Sequence, residues 1–346
     1  MSSRDINIDL LRICSCFMVI ILHVSGQNWR LVDVHSMEWF VFNAYDSAVR
    51  SCVPLFFMIS GYLFLSKGYM ISINQLYKRN ILKIIILYFV WSFLYAVFRV
   101  DFTDISFETL IYEILQSEFH LWYLPALISV YIMIPLLWCI AHYEDGKYLK
   151  YTCYLVFIMG ILKMTVETVP FLPEIFNEFL TSFSLNISIY CGYFLIGYYI
   201  KMTREKWIHI KMKILLLVFL LIELLGIILT LGISWWTNEP ISFLYNNQTL
   251  FPAIQAIILM IIFLKFKVDS FLNHKRNIII KISRYTLFIY LFHPFVINFL
   301  DNNLRINSLS LNEWVSVPLI SMIVVIICLL FAYVLSHVPI VKKWII

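Results

Sequence analysis

The run LLRICSCFMVIILHV, residues 10–24, decides how the rest of the chain is read. It is apolar for long enough to enter lipid, yet it carries Arg12 and His23. These two are eleven residues apart. Eleven steps of about 100° return to within about 20° of the start, so both side chains leave one face of a helix, about 16 Å apart along its axis. Asp9, three residues before Arg12, lies near the same stripe and is spaced to pair with it. Ionisable groups are costly inside a bilayer and face an interior when they occur there. An apolar medium also favours neutral imidazole, the proton-accepting form that a general base requires. Two plainer readings stand beside this one: Arg12 snorkelling to the headgroups, and His23 bonded to a carbonyl of a neighbouring helix.

Composition agrees with the membrane reading. Of 346 residues, 62 % are hydrophobic and 14 % charged, with a mean hydropathy of +0.85, whereas an average soluble domain carries about 25 % charge. Apolar runs long enough to cross about 30 Å of hydrocarbon recur along the chain, too continuous for alternating barrel strands. The fold class expected is therefore all-α, a polytopic bundle of ten transmembrane helices over 8–26, 47–66, 82–99, 121–141, 149–166, 186–200, 213–234, 248–264, 284–300 and 315–338. Seven cysteines (Cys14, Cys16, Cys52, Cys139, Cys153, Cys191, Cys328) lie in or beside these runs without metal-ligand spacing and read as small core residues, so no metal is expected. The bulky Gln27, Asn28 and Trp29 after the first run do not resemble a signal-cleavage site, so that run is expected to stay as helix one.

Taken alternately, the loops on the N-terminal side hold twenty Lys and Arg, and those on the other side hold Arg30, Arg99 and Arg305. The second side is instead acidic, with Asp101, Asp104, Glu108, Glu113, Glu118, Glu167, Glu174 and Glu178. This bias predicts both termini in the cytoplasm, and it accounts for the net charge of +5 without any nucleic-acid partner. With no repeat, linker or low-complexity tract, residues 1–346 read as one integral-membrane domain.

Several segments together carry a resemblance. IDLLRICSCFMVIILHV places an acid and an Arg before a His eleven positions on; VPLFFMISGYLFLSKG (53–68) joins Pro-Leu-Phe-Phe to Ser-Gly-Tyr; HLWYLPALI begins at His120 and IYLFHPF contains His293. These resemble the membrane-bound acyltransferase 3 family, ten-helix proteins that move acyl groups, usually acetyl, onto extracytoplasmic carbohydrates. The resemblance implies that His23 is catalytic and Arg12 essential. It also implies two Arg separated by two residues at the start of helix three, where this chain reads YKRNILKI, with Lys78, Arg79 and Lys83. The local positive charge survives that departure and suits the phosphates of an acetyl-coenzyme A donor, although ordinary positive-inside anchoring explains the same cluster.

Further polar residues are candidates for substrate contact. Ser60 is offered to the acyl oxygen, against the plainer reading that Ser-Gly marks close helix packing. Glu223, mid-span in helix seven, is offered as an aid to His23 or as a partner of Lys163, which Glu167 also matches at i, i+4. His120, Trp122 and Tyr123 begin helix four, where aromatic residues anchor in the interface or stack on a sugar ring. His293 precedes Pro294, which frees a backbone carbonyl for the imidazole to satisfy, and Asp46 with Arg50 reads as a structural pair at the outer end of helix two. The function expected is an O-acyltransferase of the cytoplasmic membrane, taking acyl-coenzyme A and modifying a surface glycan or lipid-linked sugar. His23 then serves either as general base or as a transient acyl carrier. The alternatives are a transporter or flippase of a small polar solute, for which no inverted repeat is visible, and a ligand-binding membrane module.

Overall fold

A computed structural model describes residues 4–66, 70–99, 106–169, 173, 175, 178, 179, 182, 188–266 and 275–339. Lys67, Gly68, Asp101, Asp104, Glu174, Lys267, Lys342, Lys343 and the start of the sixth expected span at 186–187 lie outside them. The helices are α1 (Ile6–Gly26), α2 (Met37–Val49), α3 (Cys52–Phe64), α4 (Ile73–Arg99), α5 (Phe107–Gln116), α6 (Tyr123–His142), α7 (Lys147–Leu155, continued by π-helical Val156–Leu162 and by Lys163–Glu167), α8 (Ile189–Met202), α9 (Met212–Thr237), α10 (Leu250–Lys265), α11 (Arg276–Leu304) and α12 (Glu313–Leu335).

Each of the ten expected spans has its helix, and no strand occurs among the described residues. Seven helical runs are long and apolar enough to cross a membrane, one of them the 49-residue run Phe119–Glu167 that holds two expected spans. That run leaves helical geometry at Glu144, Asp145 and Gly146, which take φ of 45°, 50° and 83°. The expected spans outside the seven runs are α8, with 14 residues, and α11, whose Arg276, Lys281, Arg284, His293, Asn298 and Asp301 dilute its apolar content.

Two boundaries differ from the sequence reading. Helical structure in the second span begins at Met37 rather than 47, capped by Ser36, whose hydroxyl accepts the Trp39 N–H. The early start went unread because Glu38, Asn43, Asp46 and Ser47 interrupt the apolar pattern; apart from Glu38 they are turned into the protein, at 2 % exposure or less. The helix then breaks at Arg50–Ser51. Pro54 has no N–H to give the Arg50 carbonyl four residues back, and its ring crowds that carbonyl, so α3 restarts with the proline in its first turn. The second difference is α5, in a stretch read as loop. It is a short amphipathic helix with Phe107, Tyr112 and Leu115 exposed.

The chain divides into two compact units, residues 1–63 with 149–346, and residues 64–148. In the first unit α1 packs against α2, α10, α11 and α12, and α9 packs against α2 and α10. The helix carrying Arg12 and His23 thus has four helices of this unit packed on it. Helices α3 and α8 approach until backbone meets backbone: a Cβ added to Gly61 would stand 1.8 Å from the Phe194 carbonyl oxygen, and one on Gly197 would stand 2.0 Å from that of Met58. Small residues at such crossings let transmembrane helices gain van der Waals contact where no hydrophobic effect drives association. In the second unit, Arg99 at the end of α4 pairs with Glu113 of α5 at 3.2 Å and with Glu118 at 3.4 Å. Burial pushes the Glu118 carboxyl above its ordinary value, and Arg99 draws it partly back.

Candidate active site

The candidate site lies in the first unit, where α1 and α11 run in the same direction. Arg276, at the start of α11, donates to the Arg4 carbonyl at 2.9 Å, just before α1 begins. His23 and His293 are each 17 residues past the first residue of their helices, about 26 Å along the axis. Equal register brings their rings into a stack with centroids 5.1 Å apart and planes 26° from parallel. His293 is fully buried, and its Nδ1 lies 2.8 Å from the Tyr290 carbonyl oxygen and 3.1 Å from that of Ile289. The reason is Pro294, which cannot donate to the Tyr290 carbonyl four residues back. The imidazole supplies the missing donor, so in the neutral ring Nδ1 carries the proton and Nε2 is the acceptor.

An ion pair that the sequence reading put at the outer end of helix two stands on α2, which packs against α1. Asp46 and Arg50 occupy the middle of the Met37–Phe64 run. Asp46 Oδ2 accepts from Arg50 Nε at 3.0 Å and from Nη2 at 2.6 Å. The Asp46 side chain is 3 % exposed and that of Arg50 25 %. The guanidinium also lies over the Tyr245 ring, 5.8 Å from its centroid, and the Tyr245 hydroxyl donates to Asn43 Oδ1 at 2.6 Å.

Glu223, 8 % exposed, extends the polar interior. Gln255 donates through Nε2 to Glu223 Oε2 at 2.5 Å and to the Ser47 carbonyl at 3.5 Å, tying α9, α10 and α2 together. Of the two roles weighed for Glu223, partnership with Lys163 is replaced by this amide, and Lys163 meets Glu167 at 3.6 Å. The unexpected member is Gln255. A glutamine inside LFPAIQAIILMIIFLK (250–265) was the available signal, since a primary amide costs free energy in an apolar run unless it finds a partner.

Arg12 is half-buried on α1, about 16 Å from His23 along the axis. Asp9, on its stripe, accepts from Arg4 at 2.6 and 2.7 Å and from the Ser283 hydroxyl at 2.6 Å. Nearby, Tyr62 donates to Asp5 at 2.7 Å, and Lys201 lies over the Tyr62 ring at 4.5 Å. Ser60 gives its hydroxyl proton to the Phe56 carbonyl at 2.9 Å, one turn back in its own helix, and next to it Gly61 makes the close crossing with α8. That is the packing reading of the Ser-Gly pair.

The remaining candidates belong to the second unit. Lys78 and Arg79 are exposed within the π-helical segment Leu76–Ile81, and Lys83 is half-buried one turn on. His120 is 2 % exposed with its ring edge-on to Tyr95, centroids 5.3 Å apart. Trp122 is 40 % exposed and edge-on to Tyr123.

Residues 5–333 match the model of the acyltransferase 3 family, described as an acyltransferase domain. Comparison with curated proteins and with solved structures found no match.

Proposed function

The chain belongs to the acyltransferase 3 family and is a multi-pass membrane acyltransferase. From that premise we propose that it takes an acyl group, by preference acetyl, from acyl-coenzyme A on the cytoplasmic side of the cell membrane. It passes the group to a hydroxyl of a cell-surface glycan or lipid-linked sugar, with both of its own termini cytoplasmic. The observation that carries this reading is the stacking of half-buried His23 on fully buried His293.

In the proposed reaction His23 takes the proton of the acceptor hydroxyl as its oxygen attacks the thioester carbonyl. The tetrahedral intermediate collapses with cleavage of the carbon–sulfur bond, and the departing thiolate takes the proton from the imidazolium. His293, held by the Tyr290 carbonyl, orients the His23 ring. Arg12 binds the donor toward the N-terminal end of α1, so that the thioester reaches along the helix face toward His23. Lys78, Arg79 and Lys83 offer positive charge suited to coenzyme A phosphates, and Trp122 offers an exposed ring on which a sugar can stack. Ser60 is offered to the acyl oxygen, for which its hydroxyl would turn from the Phe56 carbonyl it now meets.

The test uses purified protein with labelled acetyl-coenzyme A and cell-envelope polysaccharide freed of its esters by mild alkali. The parent should release free thiol and esterify the polysaccharide. His23→Ala should lower the rate by about 10²–10⁴, the usual worth of a general base, while still binding acetyl-coenzyme A. Full activity in His23→Ala overturns the proposal. Label accumulating on the parent protein without acceptor would make His23 an acyl carrier instead of a base.

A further inference from the structure

We infer that Arg50, clamped by Asp46, donates the hydrogen bond that holds the negative charge formed on the acyl carbonyl oxygen while His23 acts. This rests on the reaction proposed above and adds a catalytic residue that neither the family match nor the sequence reading assigns.

Three observations converge. The first is helix direction. Asp5, capping α1, accepts from Tyr62 of α3, which fixes the relative level of the two helices. From that contact His23 is 18 residues away and Arg50 is 12, about 27 and 18 Å at helical rise. Side chains lean toward the N-terminus of their own helix. On α1 that direction is toward Asp5, and on α2 it is away from Tyr62. His23 therefore reaches down and Arg50 reaches up, into the layer between them.

The second observation is how Arg50 is held. Asp46 takes Nε and Nη2, and the Tyr245 ring fixes the plane of the guanidinium. No hydrogen bond at Nη1 occurs among the described residues, and the side chain keeps 25 % exposure beside an Asp46 side chain at 3 %. One edge of the fork is tied down and the other edge is open.

The third is the helix break. Pro54 ends α2 at Arg50, which makes this guanidinium the C-terminal side chain of a helix stopped in mid-run. When the acceptor oxygen bonds to the carbonyl carbon, the carbonyl π pair moves onto oxygen and Nη1–H meets it. The charge is released when the carbon–sulfur bond breaks.

The test measures thiol release from acetyl-coenzyme A, with the same alkali-treated polysaccharide as acceptor, for Arg50→Met, Arg50→Lys, Asp46→Asn and His23→Ala. Arg50→Met should lower kcat about 10²–10³-fold, the loss seen when one oxyanion donor is removed, with KM for acetyl-coenzyme A unchanged. Arg50→Lys should recover at least about tenfold of that loss, because a single ammonium donor replaces part of the fork. Asp46→Asn, which loosens the clamp, should reduce kcat less than Arg50→Met does. Arg50→Met within twofold of the parent, together with an inactive His23→Ala, overturns this inference and leaves the His23 reading standing. An active His23→Ala overturns that reading instead. If Arg50→Met does not fold, Arg50→Lys decides: a folded variant whose KM rises while kcat holds makes Arg50 a donor-binding residue and overturns the oxyanion role.

Discussion

In the unit built around α1, Asp46, Glu223, Gln255 and His293 are all 8 % exposed or less, and each meets a polar partner from the protein. In the unit of residues 64–148, Lys78 and Arg79 are exposed, and the buried His120 is faced edge-on by Tyr95 and Phe119. Both units are drawn from the same apolar residue types. The difference lies in what is buried: the first unit holds the carboxyls of Asp46 and Glu223 inside, whereas the buried polar residues described in the second are Ser92 and His120. Buried polar groups in a membrane chain therefore point to chemistry more directly than total charge does.

Substitutions can break this contrast, and the largest effect belongs to His23→Ala, with its loss of about 10²–10⁴ in transfer rate. Next comes the packing that holds the inner unit closed. Gly61→Ala drives a methyl into the Phe194 carbonyl and should cost at least about 1–3 kcal/mol, the usual range for overpacking. A thermal midpoint in detergent equal to that of the parent would mean that the α3–α8 crossing relaxes freely. Glu223→Leu should follow at about 1–3 kcal/mol, since the Gln255 amide loses its acceptor in the interior. Glu223→Gln keeps an acceptor and should lose markedly less; equal losses would show that the charge, not the hydrogen bond, matters there.

The surface charges should act more weakly. Lys78→Ala with Arg79→Ala should raise KM for acetyl-coenzyme A about two- to tenfold with kcat unchanged, consistent with the small worth of exposed ion pairs. The gap should narrow as salt is added. A salt-independent effect would remove these residues from donor binding. The smallest effect is expected at Glu118. Its folded pKa is raised by burial, so the folded state holds the proton longer than the unfolded chain does. Its contribution to stability is complete below the ordinary value of 4.5 and is lost as pH rises through the folded pKa. Glu118→Gln should flatten that slope in thermal midpoint against pH, and an unchanged slope would assign it to another group.

Much of this was legible from residues alone. The length and continuity of the apolar runs dictated helices that cross a membrane, because a chain in lipid must satisfy its backbone within each segment. The eleven-residue spacing put Arg12 and His23 on one stripe, and the proline after His293 announced a carbonyl in need of a donor. The early start of α2 was hidden because Glu38, Asn43, Asp46 and Ser47 interrupt the apolar run, although the last three are buried against the protein. The break at Arg50 had a visible signal in Pro54, four residues on.

What the sequence could not contain is which stripe meets which. The stack of His23 on His293 joins residues 270 positions apart, and the amide of Gln255 finds Glu223 across 32. Periodicity determines the face a side chain leaves by, since it follows from local backbone geometry. Contact across helices depends on how far each helix slides and turns against its neighbours. The close glycine crossing, the broken helix and the level set by Tyr62 and Asp5 decide that, and only once the helices are assembled.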